Sequence, residues 1–154
     1  MLPHYSSHTL GVGGVVIHPD QTKVLLIQEK FAPHGVVNWK FPGGLVDQGE
    51  TLDKASAREV KEETGVDSRF VGIFGLRELP TFRHGQGDLY FPCLMECIGS
   101  TDLNMQSSEL SRCEWLPFSE LRQTKFYSIA NQVMTNIILP NVSDEGKWIG
   151  PRGV

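Results

Sequence analysis

Residues 44–66 read GLVDQGETLDKASAREVKEETGV, and this stretch contains the clearest helix signal in the chain. Thr51 suits the N-cap position because its side chain can accept a hydrogen bond from a free amide of the first helical turn. Asp53 places negative charge near the positive end of the helix dipole, and Gly65 suits the left-handed residue that follows many helices. The pattern predicts one helix between Thr51 and Gly65, with a packing face and an acidic face.

The acidic face of this helix indicates a divalent metal site. At about 100° per residue, Glu59, Glu62 and Glu63 share an arc of roughly 100°. Like charges at this spacing destabilise a helix unless a cation lies among them. Carboxylates without His or Cys favour Mg²⁺ or Mn²⁺ over Zn²⁺, and Mg²⁺ is commonly shared with substrate phosphates. Taken alone, the same charges are more typical of a solvated helix surface stabilised by Arg58 and Lys61.

The spacing of the residues around the helix favours the metal site over the solvated surface. Gly44 is followed after five residues by Glu50 and after seven more by REVKEETGV, residues 58–66. This series resembles the Nudix box, and every defined position is matched. The flanks WKFPGG and Glu109, six residues before a Trp, also resemble those of Nudix proteins. The chain is most similar to the subgroup of plant ADP-ribose/NADH pyrophosphatases and the vertebrate antisense fibroblast-growth-factor protein.

The resemblance implies an α/β fold, an α/β/α sandwich around a mixed sheet, with the box forming a catalytic loop, helix and loop. It implies hydrolysis of a nucleoside diphosphate linked to another moiety X, giving a nucleoside monophosphate and phosphorylated X. Mg²⁺ or Mn²⁺ is the implied cofactor. Such an ion neutralises the pyrophosphate and lowers the pKa of an attacking water.

The resemblance also gives roles to individual side chains. Glu59, Glu62 and Glu63 are the expected metal ligands. Glu62 and Glu63 are also candidate catalytic groups, together with Glu109, which is expected on a mobile polar loop opposite the box. Arg58 is the fourth catalytic candidate, and it is expected to orient a carboxylate by two hydrogen bonds rather than to contact substrate. Which glutamate is the general base stays open.

Substrate contacts are expected from residues outside the helix. Gly43 and Gly44 are expected beside the substrate, where a carbonyl of either completes the metal shell. Arg77 is a candidate phosphate contact, although a surface arginine is as common at such a position. Aromatic rings can stack on a nucleobase, although they are more often core residues. The aromatic candidates are Trp39, Phe82 and Tyr90.

The remaining sequence predicts short strands and two further helices. Expected strands cover residues 9–18, 23–29, 39–41, 69–79, 88–98 and 112–116, and expected helices cover 117–123 and 128–139. Pro92 lacks an amide hydrogen, so it predicts an edge or a bulge in its strand. The length of 154 residues fits a single domain, residues 1–154, with an irregular tail at 141–154.

Composition disfavours several classes of partner. Fourteen Lys and Arg against eighteen Asp and Glu give a net charge of −4, which disfavours a nucleic-acid surface and a polybasic membrane patch. No apolar run approaches the roughly 20 residues of a membrane span, and the first residues lack a signal-peptide pattern. Three cysteines without a CxxC pair predict reduced thiols and a cytoplasmic protein. The expected partner is a small nucleotide, and a homodimer is an expectation by analogy with relatives.

The sequence leaves the identity of X open. ADP-ribose or NADH is the first expectation, with Pro80, 14 residues after Val66, as a weak indication of ADP-ribose. The alternative enzyme class cleaves oxidised nucleoside triphosphates. A Nudix fold that has become an inactive binding or regulatory module is less favoured, because the glutamates of the box are intact.

Overall fold

The computed structural model describes residues 6–31, 35, 37–126 and 128–151, and it contains seven strands and a small number of helical segments. The strands are β1 (His8–Ile17), β2 (Lys23–Glu29), β3 (Gly43–Leu45), β4 (Ser68–Ile73), β5 (Arg77–Arg83), β6 (Gln86–Cys97) and β7 (Leu110–Pro117). The helical segments are α1 (Leu52–Thr64), a 3₁₀ helix (Phe118–Gln123), α2 (Ser128–Val133), a π turn (Met134–Ile138) and a 3₁₀ turn (Leu139–Asn141). No helix among these residues is long and apolar enough to cross a membrane.

The strands form one mixed sheet in the order β4-β6-β1-β2-β7. The central pair, β1 and β6, is parallel from His8 to Ile17, and the other pairs are antiparallel. The hairpin of β1 and β2 pairs only near its turn, at Ile17 and Val24. Farther from the turn, residues 40–45 fill the gap, since Lys40 pairs with Ile27 of β2 and β3 pairs with β1. This insertion brings the chain into the middle of the sheet just before α1.

Helical segments cover both faces of the sheet, which confirms the predicted α/β/α sandwich. On one face, α1 packs Ala55 and Val60 against Val12 and Val16 of β1. On the other face, alternate β1 residues pack against the C-terminal segments. That core contains Val15, Ile17, Leu26, Phe118, Leu121, Met134, Ile138 and Trp148. Alternating side chains of one strand therefore supply two cores.

The predicted helix of the box is confirmed with nearly the expected ends. Thr51 is the N-cap in an extended conformation, although its side chain makes no capping hydrogen bond. Instead, a hydrogen bond from Thr51 lowers the pKa of Asp53. Gly65 closes the helix at φ 78°, a left-handed conformation that costs little without a Cβ, and its amide donates to the carbonyl of Lys61.

Two strand predictions need correction. The run 69–79 forms two strands, β4 and β5, which pair in succession with the same side of β6. Pro92 is not in an edge strand; it lies in β6, between the residue that pairs with Arg77 and the residue that pairs with Ile73. Its carbonyl accepts a hydrogen bond from Phe74 N at 2.6 Å, so its missing amide falls at the break between the two partner strands.

The C-terminal region departs from the predicted regular helix and irregular tail. The predicted helix 128–139 is only one α-turn and a half before it widens into a π turn and ends in a 3₁₀ turn. In the tail, Trp148 is 1% exposed and forms a bridge with Val142. Residues 152–154 and 1–5 of the predicted single domain lie outside the described residues, and the single-domain prediction stays a prediction.

Candidate active site

Arg58 organises the acidic face of α1. Its Nε and Nη2 donate to the two carboxylate oxygens of Glu50 at 2.8 and 2.9 Å, while Nη1 donates to Glu59 at 3.0 Å and to Glu62 at 3.3 Å. These bonds lower the pKa of Glu50 to about 2 and raise the pKa of Arg58. Nη2 also donates to the carbonyl of Leu45 in β3. The arrangement matches the orienting role expected for this arginine, since a guanidinium fork holds a carboxylate at two points.

Glu59 lies against the glycine that opens the box. Its side chain is 15% exposed, and burial is the main cause that raises its pKa. A Cβ at Gly44 would lie 2.5 Å from Glu59 Oε1, so any larger residue at this position would displace the carboxylate. The glycine therefore allows the backbone of β3 and a charged oxygen to approach each other closely.

Glu63 is the most buried carboxylate of the helix, at 8% exposed. Its Oε2 accepts a hydrogen bond from the amide of Gly43 at 3.2 Å. Burial raises the pKa of Glu63 to about 7; the charge of Lys40 and the bond from Gly43 oppose that shift, and the charges of Glu59 and Glu109 add to it. A proton or a metal ion would relieve this carboxylate of an unfavourable charge.

Gly43 is placed beside Glu63 by the close packing of two strands. It pairs with Gly13 of β1, and a Cβ on Gly43 would lie 2.0 Å from the carbonyl oxygen of Val12. Only glycine fits this approach without moving the strand. The sheet therefore fixes the position of the Gly43 amide, which donates a hydrogen bond to the buried carboxylate of Glu63.

The carboxylates lie at one end of a cavity of about 600 Å³, a size typical of small-molecule sites. The acidic end contains Glu59, Glu63 and Glu109 together with both glycines of the box and an ion pair between Lys40 and Glu29. The rest of the lining is largely apolar and aromatic. It includes Phe41, Leu79, Phe82, Tyr90, Ile129 and Ala130.

The acidic end has the donor chemistry of a Mg²⁺ or Mn²⁺ site. Burial raises the pKa values of Glu59 and Glu63, and the charge of Glu59 adds to the rise at Glu63. Among the described residues, no group of three His, Cys, Asp or Glu side chains is close enough together to hold a metal ion by itself. Mg²⁺ does not need a full set of protein ligands, because it usually keeps waters and substrate oxygens in its shell beside one or two carboxylates. Glu62 is 54% exposed in its side chain and is turned toward Arg58.

The segment before β7 is better anchored than the sequence predicts. The amides of Asn104 and Gln106 donate to the last carbonyls of α1, those of Thr64 and Glu63, at 2.8 and 3.0 Å. Trp115 Nε1 donates to the carbonyl of Thr101 at 2.9 Å. The segment therefore caps the helix, and the mobility expected of this loop stays a prediction. Its exposed last residue, Glu109, lines the cavity with Glu63 without any rearrangement.

The structure does not bring Trp39 and Arg77 to this cavity. Trp39 is 7% exposed in the core below the sheet, and the Arg112 guanidinium lies 4.8 Å from the centre of its ring. Arg77 lines a separate cavity of about 130 Å³, which shares Tyr90 and Ile129 with the larger one. Its Nη1 is buried without a hydrogen-bond partner among the described residues. Phe82 and Tyr90, the other aromatic candidates, do line the larger cavity.

Sequence reasoning missed Asp88, Lys40 and Glu29 as residues of the cavity. Asp88 and Tyr90 alternate on β6, so they share one face of the sheet. That pattern could have placed Asp88 beside the aromatic candidate. The sequence predicts a short strand at residues 39–41 but not its entry between β1 and β2, and that insertion places Lys40 beside Glu29.

Comparison with known proteins agrees with this geometry. The chain is 41% identical over 122 residues to Nudix hydrolase 2 of Arabidopsis thaliana, covering 77% of this chain and 42% of that protein. It is 36% identical over 141 residues to nucleoside diphosphate-linked moiety X motif 6 of Xenopus laevis, covering 90% of this chain and 63% of that protein. The chain thus spans about two fifths to three fifths of the length of these curated relatives.

A solved structure shows the same fold. The NUDIX domain of Shewanella oneidensis NrtR, determined in complex with ADP ribose, superposes with a TM-score of 0.69 at 21% identity and covers 85% of this chain and 86% of that chain. At that identity the likeness concerns the fold alone. The family model described as NUDIX domain matches residues 7–137, which include every strand and the acidic helix. The chain therefore belongs to the NUDIX domain family.

Proposed function

We propose that this chain hydrolyses a nucleoside diphosphate linked to another moiety X, with Mg²⁺ or Mn²⁺, giving a nucleoside monophosphate and phosphorylated X. The observation that carries the proposal is the cluster of carboxylates, Glu59, Glu63 and Glu109, at one end of a cavity of about 600 Å³. Carboxylates that repel one another at the end of a cavity are stabilised by a bound cation. The same cation neutralises the phosphates of a substrate. The name of the Xenopus laevis relative, nucleoside diphosphate-linked moiety X motif 6, supports the same class of substrate.

The roles of the residues follow from their contacts. Glu59 and Glu63 would hold the metal ion, with Glu62 as a further ligand, and the bound ion would neutralise the pyrophosphate and acidify the attacking water. Arg58 would keep Glu59 in place by the hydrogen bond that it donates. The amide of Gly43 would fix the second ligand, since it donates to Glu63 Oε2.

The general base is one of the glutamates at the acidic end. Glu109 is our first candidate, because it is exposed at the cavity and lies outside the ion pairs around Arg58. Glu63 has a pKa of about 7 in the absence of metal, which is suited to proton transfer, but a bound cation would lower it. Glu62 would reach the water only after leaving Arg58.

ADP-ribose or NADH is the proposed substrate, ahead of oxidised nucleoside triphosphates. The cavity is lined by apolar and aromatic residues in addition to the carboxylates, which gives room for a nucleoside attached to the pyrophosphate. The NrtR domain, which has the same fold, forms a complex with ADP ribose, and this supports ADP-ribose as the first compound to test. The cytoplasmic location and the homodimer stay predictions.

A substrate panel tests the proposal. ADP-ribose, NADH, nucleotide sugars, diadenosine polyphosphates, capped RNA and oxidised dGTP would each be incubated with Mg²⁺ or Mn²⁺, and the products identified. We expect the highest kcat/KM for an NDP-X compound. If oxidised dGTP is preferred tenfold or more, the alternative class is correct. If no compound is cleaved, the chain is a binding module of this fold.

A further inference from the structure

Besides the glutamates, an aspartate lines the cavity, and the chemistry proposed above gives it no role. Asp88 on β6 is 6% exposed and lines the cavity. Its Oδ1 accepts a hydrogen bond from Thr9 Oγ1 at 2.5 Å. Among the described residues, Oδ2 has no hydrogen-bond partner and Asp88 has no ion pair. The side chain is therefore a buried carboxylate with one oxygen held and the other free.

The register of the sheet shows where the free oxygen lies. Asp88 pairs with Thr9 of β1 on one side and with Leu79 of β5 on the other. A Cβ built on Gly11 would lie 3.6 Å from Asp88 Oδ2. Since Gly11 has no side chain, the space above its backbone is bounded by this carboxylate and by the Tyr90 ring, whose Cδ2 would lie 3.5 Å from the same Cβ. The cavity floor at Gly11 thus presents a hydrogen-bond acceptor.

The Tyr90 ring separates Asp88 from the acidic end. Gly13 pairs with Gly43, the residue whose amide donates to Glu63. The free oxygen of Asp88 lies at Gly11, two residues before Gly13 on the same strand, a distance of roughly 7 Å. The Tyr90 ring occupies the space between them, since a Cβ on Gly13 would overlap its hydroxyl. The two ends of the cavity are separate sites along one strand.

The environment of Asp88 favours a neutral ligand with donor groups. Lys40 is the one Lys or Arg among the described residues that line the cavity, and it is paired with Glu29. An ionised carboxylate only accepts hydrogen bonds, and burying one without a full set of partners is costly. It attracts hydroxyl and amino groups and repels phosphate. It would therefore direct a nucleotide into the cavity with its phosphates at the opposite end.

We propose that Asp88, held by Thr9, is a specificity-determining residue that accepts hydrogen bonds from hydroxyl or amino groups of the nucleoside part of the substrate. The inference rests on the proposed function, because it takes the pyrophosphate to lie at Glu59 and Glu63. Leu79, which pairs with Asp88, and Phe82, which lines the same cavity, would contact the faces of the same nucleoside. The ribose hydroxyls and the base amino group are the two sources of such donors.

Binding of four related probes tests the inference and separates the two sources. The probes are the α,β-methylene analogue of ADP-ribose and its 2′-deoxy, 3′-deoxy and 6-deamino forms in the adenosine part. Calorimetry with Mg²⁺ would compare the wild type with Asp88→Asn, and Asp102→Asn in an exposed loop is the matched control. We expect Asp88→Asn to weaken the parent probe about tenfold or more. The probe that lacks the contacted donor should bind both proteins equally.

The remaining outcomes decide between specificity and structure. If Asp88→Asn weakens all four probes alike, or none, Asp88 does not read the nucleoside and the inference is wrong. Thr9→Val, which removes the bond to Oδ1, should give the same probe pattern with a smaller loss, and Thr9→Ser should restore binding. The two Thr9 variants also test the inference if Asp88→Asn does not fold. Wild type that binds none of the probes overturns the inference, whereas hydrolysis of no NDP-X compound overturns the proposed function.

Discussion

Replacing Glu63 by Gln should make the metal-free protein more stable, and the gain should depend on pH. The pKa of Glu63 is about 7 in the folded protein against an ordinary 4.5, chiefly because burial disfavours the charge. The Glu63 carboxylate thus binds a proton more tightly in the folded chain than in the unfolded chain. The stability contributed by the protonated group is present below pH 4.5 and is lost as the pH rises through 7. Gln keeps the shape and the acceptor for Gly43 without the charge.

The size of the effect follows from the two pKa values. The free energy of unfolding of Glu63→Gln should exceed that of the wild type by about 3 kcal/mol at pH 8 and by less than about 1 kcal/mol at pH 5. The assay is urea denaturation after EDTA treatment, measured at several pH values. Glu145→Gln, at an exposed glutamate in the tail, is the matched control and should show no such trend.

Mg²⁺ should reverse the order of stability. The metal binds the folded wild type through Glu63 and so stabilises it by mass action, while Glu63→Gln loses a ligand and gains less. The reasoning is refuted if Glu63→Gln and wild type differ by the same amount at pH 5 and pH 8. It is also refuted if the variant is the less stable protein at pH 8 without metal. Either result would mean that the buried carboxylate is compensated in the folded chain.

The other predictions concern turnover. EDTA should abolish hydrolysis and Mg²⁺ or Mn²⁺ should restore it; activity that persists without divalent metal would exclude the mechanism. Glu62→Gln should lower kcat about 10²-fold if Glu62 leaves Arg58 to bind metal, and a near wild-type rate would assign it a purely surface role. Glu109→Ala should lower kcat about 10²-fold with an unchanged Tm. Unaltered turnover would mean that the general base is Glu62 or Glu63. Arg58→Lys should lower kcat about tenfold, because an ammonium cannot hold Glu50 at two points; equal rates would show that one contact suffices.

The acidic end of the site was predictable because its parts are close in sequence. The helix turn brings Glu59 and Glu63 to one side, and Arg58 is adjacent to them, so their proximity needs no tertiary information. What the sequence could not show is the difference in exposure between Glu62 and Glu63. Glu63 is buried beside Gly43, whereas Glu62 is exposed, and that difference arises from where β3 and the segment before β7 pack against the helix.

Wrong predictions arose where an element depends on its neighbours. The run 69–79 has strand composition throughout, but β6 bonds to its two halves on either side of Pro92. The tail lacks a regular pattern, yet Trp148 reaches the core because a ring of that size buries a large apolar area. Trp39 is buried in the core as well, which was the commoner of the two alternatives for an aromatic residue at this position.

The contact between Thr9 and Asp88 illustrates a limit set by topology. Thr9 and Asp88 are 79 residues apart, and only the parallel pairing of β1 with β6 brings them into contact. A shift of one residue in that register would turn Asp88 to the other face of the sheet, toward the core under α1. If Asp88 selects the nucleoside as proposed, the metal-binding carboxylates follow from a local motif, while the choice of substrate depends on long-range register. Such a division would allow proteins of one fold to keep a metal site and to differ in the compound they select.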